Sequence, residues 1–146
     1  RQHTLACKIP ETFRILEELE IKYDTTLGFP THEGFRNSFC LPFKLYDFSN
    51  NRMIHVWEFP LNVMDGTILS YRNLTFDEAI LSVENLIEEI RKFNGLFTVL
   101  WHNSFFEEEL YPGITDFYIS LLKKIINKKK PTLEKIVKEL LEKETI

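Results

Sequence analysis

The stretch LFTVLWHNS, residues 96–104, decides the fold. Leu96 to Trp101 form a continuous apolar and β-branched run, the pattern of a strand covered on both faces rather than of one with a face in water. A helix-forming segment precedes it. Residues 75–93 open on Thr75 and Glu78 in capping-box spacing and then place Phe76, Ala79, Ile80, Val83, Leu86, Ile87, Ile90 and Phe93 at helical intervals, with Gly95 as the stop signal. A doubly covered strand directly after an amphipathic helix predicts an α/β fold with a parallel sheet.

Working back from that unit, HVWEFP, residues 55–60, reads as a second strand extending towards Val63, and Asp65-Gly66 marks a turn. Residues 26–52 hold Gly28, Pro30, Gly34, Pro42 and the pair Asn50 and Asn51, so a long loop is expected there. Loops of that length in compact domains usually serve function. A short strand is expected over Ile21 to Thr25. Before it, Pro10 and the following ETFRILEELEI predict a helix that starts at its proline, with Phe13, Leu16 and Leu19 on one stripe. Towards the C-terminus the pattern predicts an amphipathic helix over residues 114–127, a Lys-rich break at Pro131 and a last helix over 132–143. The expected organisation is one domain over 1–122 and a Lys-rich helical appendage over 123–146.

Composition narrows the function classes. The 146 residues are 44% hydrophobic and 27% charged, as in a globular domain with a sizeable core. Net charge is −4, but residues 123–146 carry eight Lys and four Glu, which leaves 10 basic against 18 acidic residues before them. An acidic body without an Arg-rich stripe argues against nucleic-acid partners. No apolar run reaches the roughly 20 residues of a spanning helix, so no membrane partner is expected. No export signal is present either, which makes the cytoplasm the default compartment. Cys7 and Cys40 fit neither CxxC nor Cys/His ligand spacing, and free thiols are expected.

In parallel α/β folds the working residues sit at the carboxyl ends of strands. Asp24, Asp65 with Gly66, and His102 with Asn103 occupy such places. Imidazole, with an ordinary pKa of about 6.5, is the side chain suited to proton exchange at neutral pH, and His102 at the lip of the sheet is the candidate acid or base. A solvent-facing or capping histidine is the plainer alternative. Asp24 is its natural partner, since a carboxylate on one ring nitrogen fixes the tautomer; a turn aspartate bonding the amides of Thr25 and Thr26 is the alternative. Asp65 reads as a turn aspartate ahead of Gly66. Glu58 faces the pocket or forms an edge salt bridge. Phe35, Phe39, Phe43, Tyr46 and Phe48 read as aromatics anchoring the long loop, with stacking on sugar rings as the alternative.

Several segments in order, RQH at 1–3, ETFRILEELEIKYDTTLGF at 11–29, GFRNSFCLPFKLYDF at 34–48, WEFPLNVMDGT at 57–67 and LFTVLWHNS at 96–104, resemble the C-terminal half of polysaccharide deacetylase-like proteins, the NodB-homology carbohydrate esterases. The resemblance covers residues 1–122 and implies a partial, distorted (β/α) barrel. It also implies metal-assisted hydrolysis of acetyl groups from a sugar or polysaccharide. By position, Arg1 resembles the arginine that orients the catalytic base, Asp24 the aspartate that holds the catalytic histidine, and His102 the histidine that protonates the leaving group. Leu100 and Trp101 would line the acetyl pocket.

The chain departs from that pattern in its metal half. The Asp-Asp segment and the His-x-x-x-His segment have no counterpart, because the four histidines are His3, His32, His55 and His102. Gln2 and His3 also replace the Pro and Tyr that commonly follow the arginine. A divalent metal, zinc or similar, is therefore implied for a complete protein and none for this chain alone. On this reading the chain, which begins at Arg1, is a C-terminal portion, inactive by itself, whose barrel is completed by an upstream metal-binding half. The alternatives are a half-barrel that serves as a sugar-binding or assembly module, and an unrelated α/β protein with coincidental motifs, in which Asp24 and His102 lie too far apart to hydrogen-bond. In both barrel readings the open edges need cover, from the other half or from a second copy in a homodimer.

Overall fold

In a computed structural model the described residues are 1–126 and Glu142. The larger of two small sheets is built around strand β3 (Arg52–Glu58), whose Ile54 and Val56 are fully buried. Strand β1 (Tyr23–Asp24) runs parallel to it, with Tyr23 opposite Trp57 and Asp24 opposite Glu58. Strand β2 (Phe43–Asp47) runs antiparallel on the other side, from Phe43 opposite Glu58 to Asp47 opposite Arg52, with one register irregularity between Lys44 and Tyr46. The second sheet pairs β4 (Val63–Met64) with β5 (Val99–Leu100) in parallel. The architecture is mixed α/β.

Part of the segment expected to be loop is thus a β-hairpin, which makes the larger sheet mixed rather than purely parallel. Its turn is held locally. Asp47 is buried at the end of β2, and its carboxylate accepts the amides of Ser49 and Asn50 at 3.1 and 3.2 Å, while Asn51 supplies the left-handed residue at φ 50°. Both Asp47 oxygens also accept the fork of Arg14 at 2.6 Å, tying helix α1 (Glu11–Glu18) to the hairpin. That bidentate pairing holds the Asp47 carboxyl well below the usual carboxylate range.

Helix α1 starts after Pro10, as its sequence predicts, and buries Phe13 and Leu16 against Leu27, Leu45, Ile54 and Val56. Leu19, expected on the same stripe, is exposed. The helix has already ended there, and Glu20 turns the chain with φ 57°. The loop aromatics divide. Phe35 and Phe43 pack against the two cores, whereas Phe39, Tyr46 and Phe48 are exposed.

Helix α2 (Phe76–Lys92) carries the reciprocal cap read from sequence: the Thr75 amide donates to Glu78 Oε2 at 2.9 Å and the Glu78 amide to Thr75 Oγ1 at 3.3 Å. It buries Ala79, Val83, Leu86, Ile87 and Ile90 against Ile114, Phe117 and Leu121 of helix α3 (Ile114–Ile126). Phe93 stands outside this face as the exposed cap residue. The run 96–101 forms only the two-residue strand β5, and its side chains are half-buried rather than enclosed. Among the described residues β5 has one strand neighbour, so one edge lacks the cover that an enclosed strand requires. The helix expected over 132–143 and most of the appendage lie outside the described residues.

Two glycines are dictated by space. A Cβ on Gly28 would lie 2.8 Å from Leu61 O and Leu61 Cβ, and one on Gly95 would lie 2.9 Å from Cys40 Cβ and 3.0 Å from Cys40 O, where the Leu96 amide donates to Cys40 O at 2.7 Å. Gly28→Ala and Gly95→Ala are each expected to destabilise the fold by about 1–3 kcal/mol in urea denaturation. Gly66→Ala, at a helical φ of −57° with its nearest neighbour 3.7 Å away, is the control and should lose less than about 0.5 kcal/mol.

Candidate functional site

Parallel pairing of β4 with β5 brings their carboxyl ends side by side. Met64 lies opposite Leu100, so Asp65, one residue past β4, and His102, two residues past β5, leave the sheet at the same end. Asp65 has no exposed surface. Its Oδ1 lies 2.7 Å from His102 Nδ1 and accepts the Gly66 amide at 2.5 Å, and its Oδ2 accepts the His102 backbone amide. A carboxylate can only accept, so His102 Nδ1 carries the proton of this bond and Nε2 is the free ring nitrogen. The chain then turns through a π-helical segment, Thr67–Tyr71, of the kind often found beside functional sites. Thr67 Oγ1 donates to Pro30 O at 2.9 Å and ties this turn to the long loop.

The histidine partner is therefore Asp65 and not Asp24, which corrects the expectation from sequence. Asp65 and Gly66 are helical and lead into the segment 67–71 rather than forming a turn, and the bond from the Gly66 amide is one of the three that Asp65 accepts. Asp24 sits one sheet away, buried, with Oδ2 accepting the Thr26 amide at 3.0 Å and Oδ1 lying 2.9 Å from the Arg1 backbone nitrogen. The Arg1 guanidinium is directed to Thr25. Its Nε donates to Thr25 O at 3.1 Å and its Nη2 to Thr25 Oγ1 at 3.5 Å. The Gln2 amide donates to Thr26 Oγ1 at 2.8 Å, so residues 1–2 are strapped across the end of β1.

Beside Asp24, at the paired position on β3, lies Glu58, also fully buried. Its Oε1 accepts the Leu27 amide at 2.7 Å, and among the described residues Oε2 accepts no N–H or O–H. Burial, opposed by the Leu27 amide and reinforced by the neighbouring Asp24 charge, pushes the Glu58 carboxyl up to about 8. Burial raises the Asp24 carboxyl and the bond from Thr26 lowers it. One proton thus resides on Glu58 at neutral pH, and the pair carries a single charge.

An open cavity of about 440 Å³ has walls that include Arg1, His3, Leu5, Met64, Tyr71, Leu100 and His102. Leu100 lines it as expected. Trp101, one residue along the strand, turns to the opposite face and packs its ring 4.7 Å from Tyr118 and 5.9 Å from Phe117. Met64, Tyr71 and His3 were not legible as cavity residues. The only sequence signal was that MDGT and RQH stand at element ends. Among the described residues no group of three or more His, Cys, Asp or Glu is placed to hold a metal ion, so they do not fit the divalent ion that the resemblance implies. No protein-family model, no curated protein and no solved structure matches this chain. Among the described residues no helix is long and apolar enough to cross a membrane.

The Glu58 proton has a thermodynamic consequence. Unfolding releases it between the ordinary glutamate range, about 4.3, and the folded value of about 8, so the folded state binds more protons in that window. Stability falls as pH rises through it, by up to about 1.4 kcal/mol per pH unit, and levels off above. Glu58→Gln keeps an acceptor for Leu27 but cannot titrate. The wild-type minus Gln difference in unfolding free energy should shrink with that slope from pH 5 to pH 8; a pH-independent difference would contradict the assignment.

Proposed function

We propose that this chain supplies the proton-handling side of a site that hydrolyses acetyl groups from a sugar or polysaccharide, on a partial (β/α) barrel of the polysaccharide deacetylase type. The observation that carries this reading is the His102 ring, held through Nδ1 by a fully buried aspartate in the wall of an open cavity. In the role proposed, protonated His102 gives the Nε2 proton to the sugar oxygen or nitrogen as its bond to the acyl carbon breaks, and Asp65 stabilises the imidazolium beforehand. Leu100, Met64 and Leu5 offer an apolar wall suited to the acetyl methyl group. Because the described residues lack a fitting donor set, metal-ligating groups are assigned to a further part of the protein, and no step here runs through them. Ile15, Leu19, Ile21 and Tyr23 are exposed along the end of α1 and the free edge of β1, which supports cover by that part or by a second copy.

The same lack of a donor set favours a second reading, a non-catalytic sugar-binding or assembly module on this scaffold. Acetate release from acetylated chito-oligosaccharide and acetylxylan by the protein of the full reading frame separates the two. Under the hydrolytic reading His102→Ala lowers kcat by about 10²–10⁴-fold, with sugar binding retained within a few-fold. Wild-type protein that binds acetylated sugar but releases no acetate, or His102→Ala at full rate, overturns it.

A further inference from the structure

The walls of the cavity are at odds with the charge of the chain around them. Residues 1–122 hold 10 basic and 18 acidic side chains, yet no Asp or Glu lines the cavity, whereas Arg1, His3 and His102 do. Asp65 and Asp24 do not line it, and both are hydrogen-bonded. Asp65 takes three N–H groups, two from His102 and one from Gly66, and Asp24 is engaged by Thr26 and the Arg1 nitrogen. Arg1, His3 and His102 line the cavity, and Asp24 and Asp65 do not. Such a wall suits an anion, because the Arg1 guanidinium lines it, no carboxylate does, and Coulomb energy falls with distance.

The backbone that presents these donors is strained. Thr4 and Leu5 both adopt left-handed conformations, φ 58° and 55°, although neither is glycine and threonine is β-branched. Each such residue costs of the order of 1–3 kcal/mol, and strain of this kind gathers at ligand sites. Here it bends the start of the chain so that residues 1–5 form one wall of the cavity. Arg1 is oriented in the same way: Nε and Nη2 are spent on Thr25, and Nη1 takes no partner among the described residues.

We infer that the acetylated carbohydrate of this site is anionic, carrying a carboxylate or a phosphate that Arg1 and His3 receive while His102 meets the acetyl-bearing atom. The inference rests on the proton-handling reading of His102. A guanidinium with a free N–H suits either oxyanion, so the shared chemistry is the negative charge.

Titration of the protein of the full reading frame with four probes at low ionic strength, followed by the NMR signals of His3, Leu100 and His102 and by calorimetry, tests it. The probes are N-acetylglucosamine, N-acetylglucosamine 6-phosphate, an O-acetylated glucuronic acid and inorganic phosphate. At least one anionic sugar should bind about tenfold or more tightly than the neutral sugar, with the advantage shrinking as salt rises and lost in the Arg1→Gln, His3→Asn double variant. Circular dichroism of that variant controls for folding. Equal binding of neutral and anionic sugars that shifts His102 overturns the anionic assignment and leaves the role of His102 standing. Inorganic phosphate binding as tightly as the sugar phosphate overturns the carbohydrate part of the inference. Sugars that move none of the three signals overturn both readings.

Discussion

A carboxylate with no exposed surface must find donors or lose its charge, and Asp65 finds three within its own neighbourhood. Two come from His102 and one from Gly66, so a single buried group locks together the ends of β4 and β5. The lock is also what orients the imidazole. Parallel pairing over only two residues per strand would be a weak joint by itself. The buried side chain of Asn62 extends it, with Oδ1 accepting the Thr98 amide at 2.8 Å just before β5. Geometry for chemistry and cohesion of the smaller sheet thus depend on the same hydrogen bonds.

The larger sheet solves a related problem differently. Asp24 and Glu58 face each other at paired positions of parallel strands, where two buried like charges would repel strongly. Retaining a proton on Glu58 removes one charge, and the straps from Thr26 and Arg1 stabilise the other. The outcome is a firm base under residues 1–5, which carry the left-handed Thr4 and Leu5 and line the cavity.

Local signals were legible in the sequence, and pairings across the chain were not. The Thr75–Glu78 cap, the buried stripe of α2 and the proline start of α1 follow from short-range chemistry and appear as read. So does the position of His102 at a strand end. The β2–β3 hairpin was hidden because Gly28, Pro30, Gly34 and Pro42 crowd the approach to it, although FKLYD alternates weakly and Asn50-Asn51 marks its turn. Choosing Asp24 over Asp65 as the histidine partner needed the strand register: both aspartates end strands, but only β4 neighbours β5. Trp101 was misplaced for a similar reason, since the alternation of a two-residue strand decides which of two adjacent side chains meets the cavity.

The central claim, that buried Asp65 fixes the His102 ring with Nδ1 protonated and Nε2 free, is tested most directly by long-range ¹H–¹⁵N correlation of the imidazole nitrogens in the neutral form. Wild-type protein should show the Nδ1–H tautomer as the major species, with an unprotonated Nε2 signal, and Asp65→Asn should lose that preference while remaining folded. A wild-type ring that is mainly Nε2–H, or a tautomer ratio unchanged in Asp65→Asn, would contradict the account.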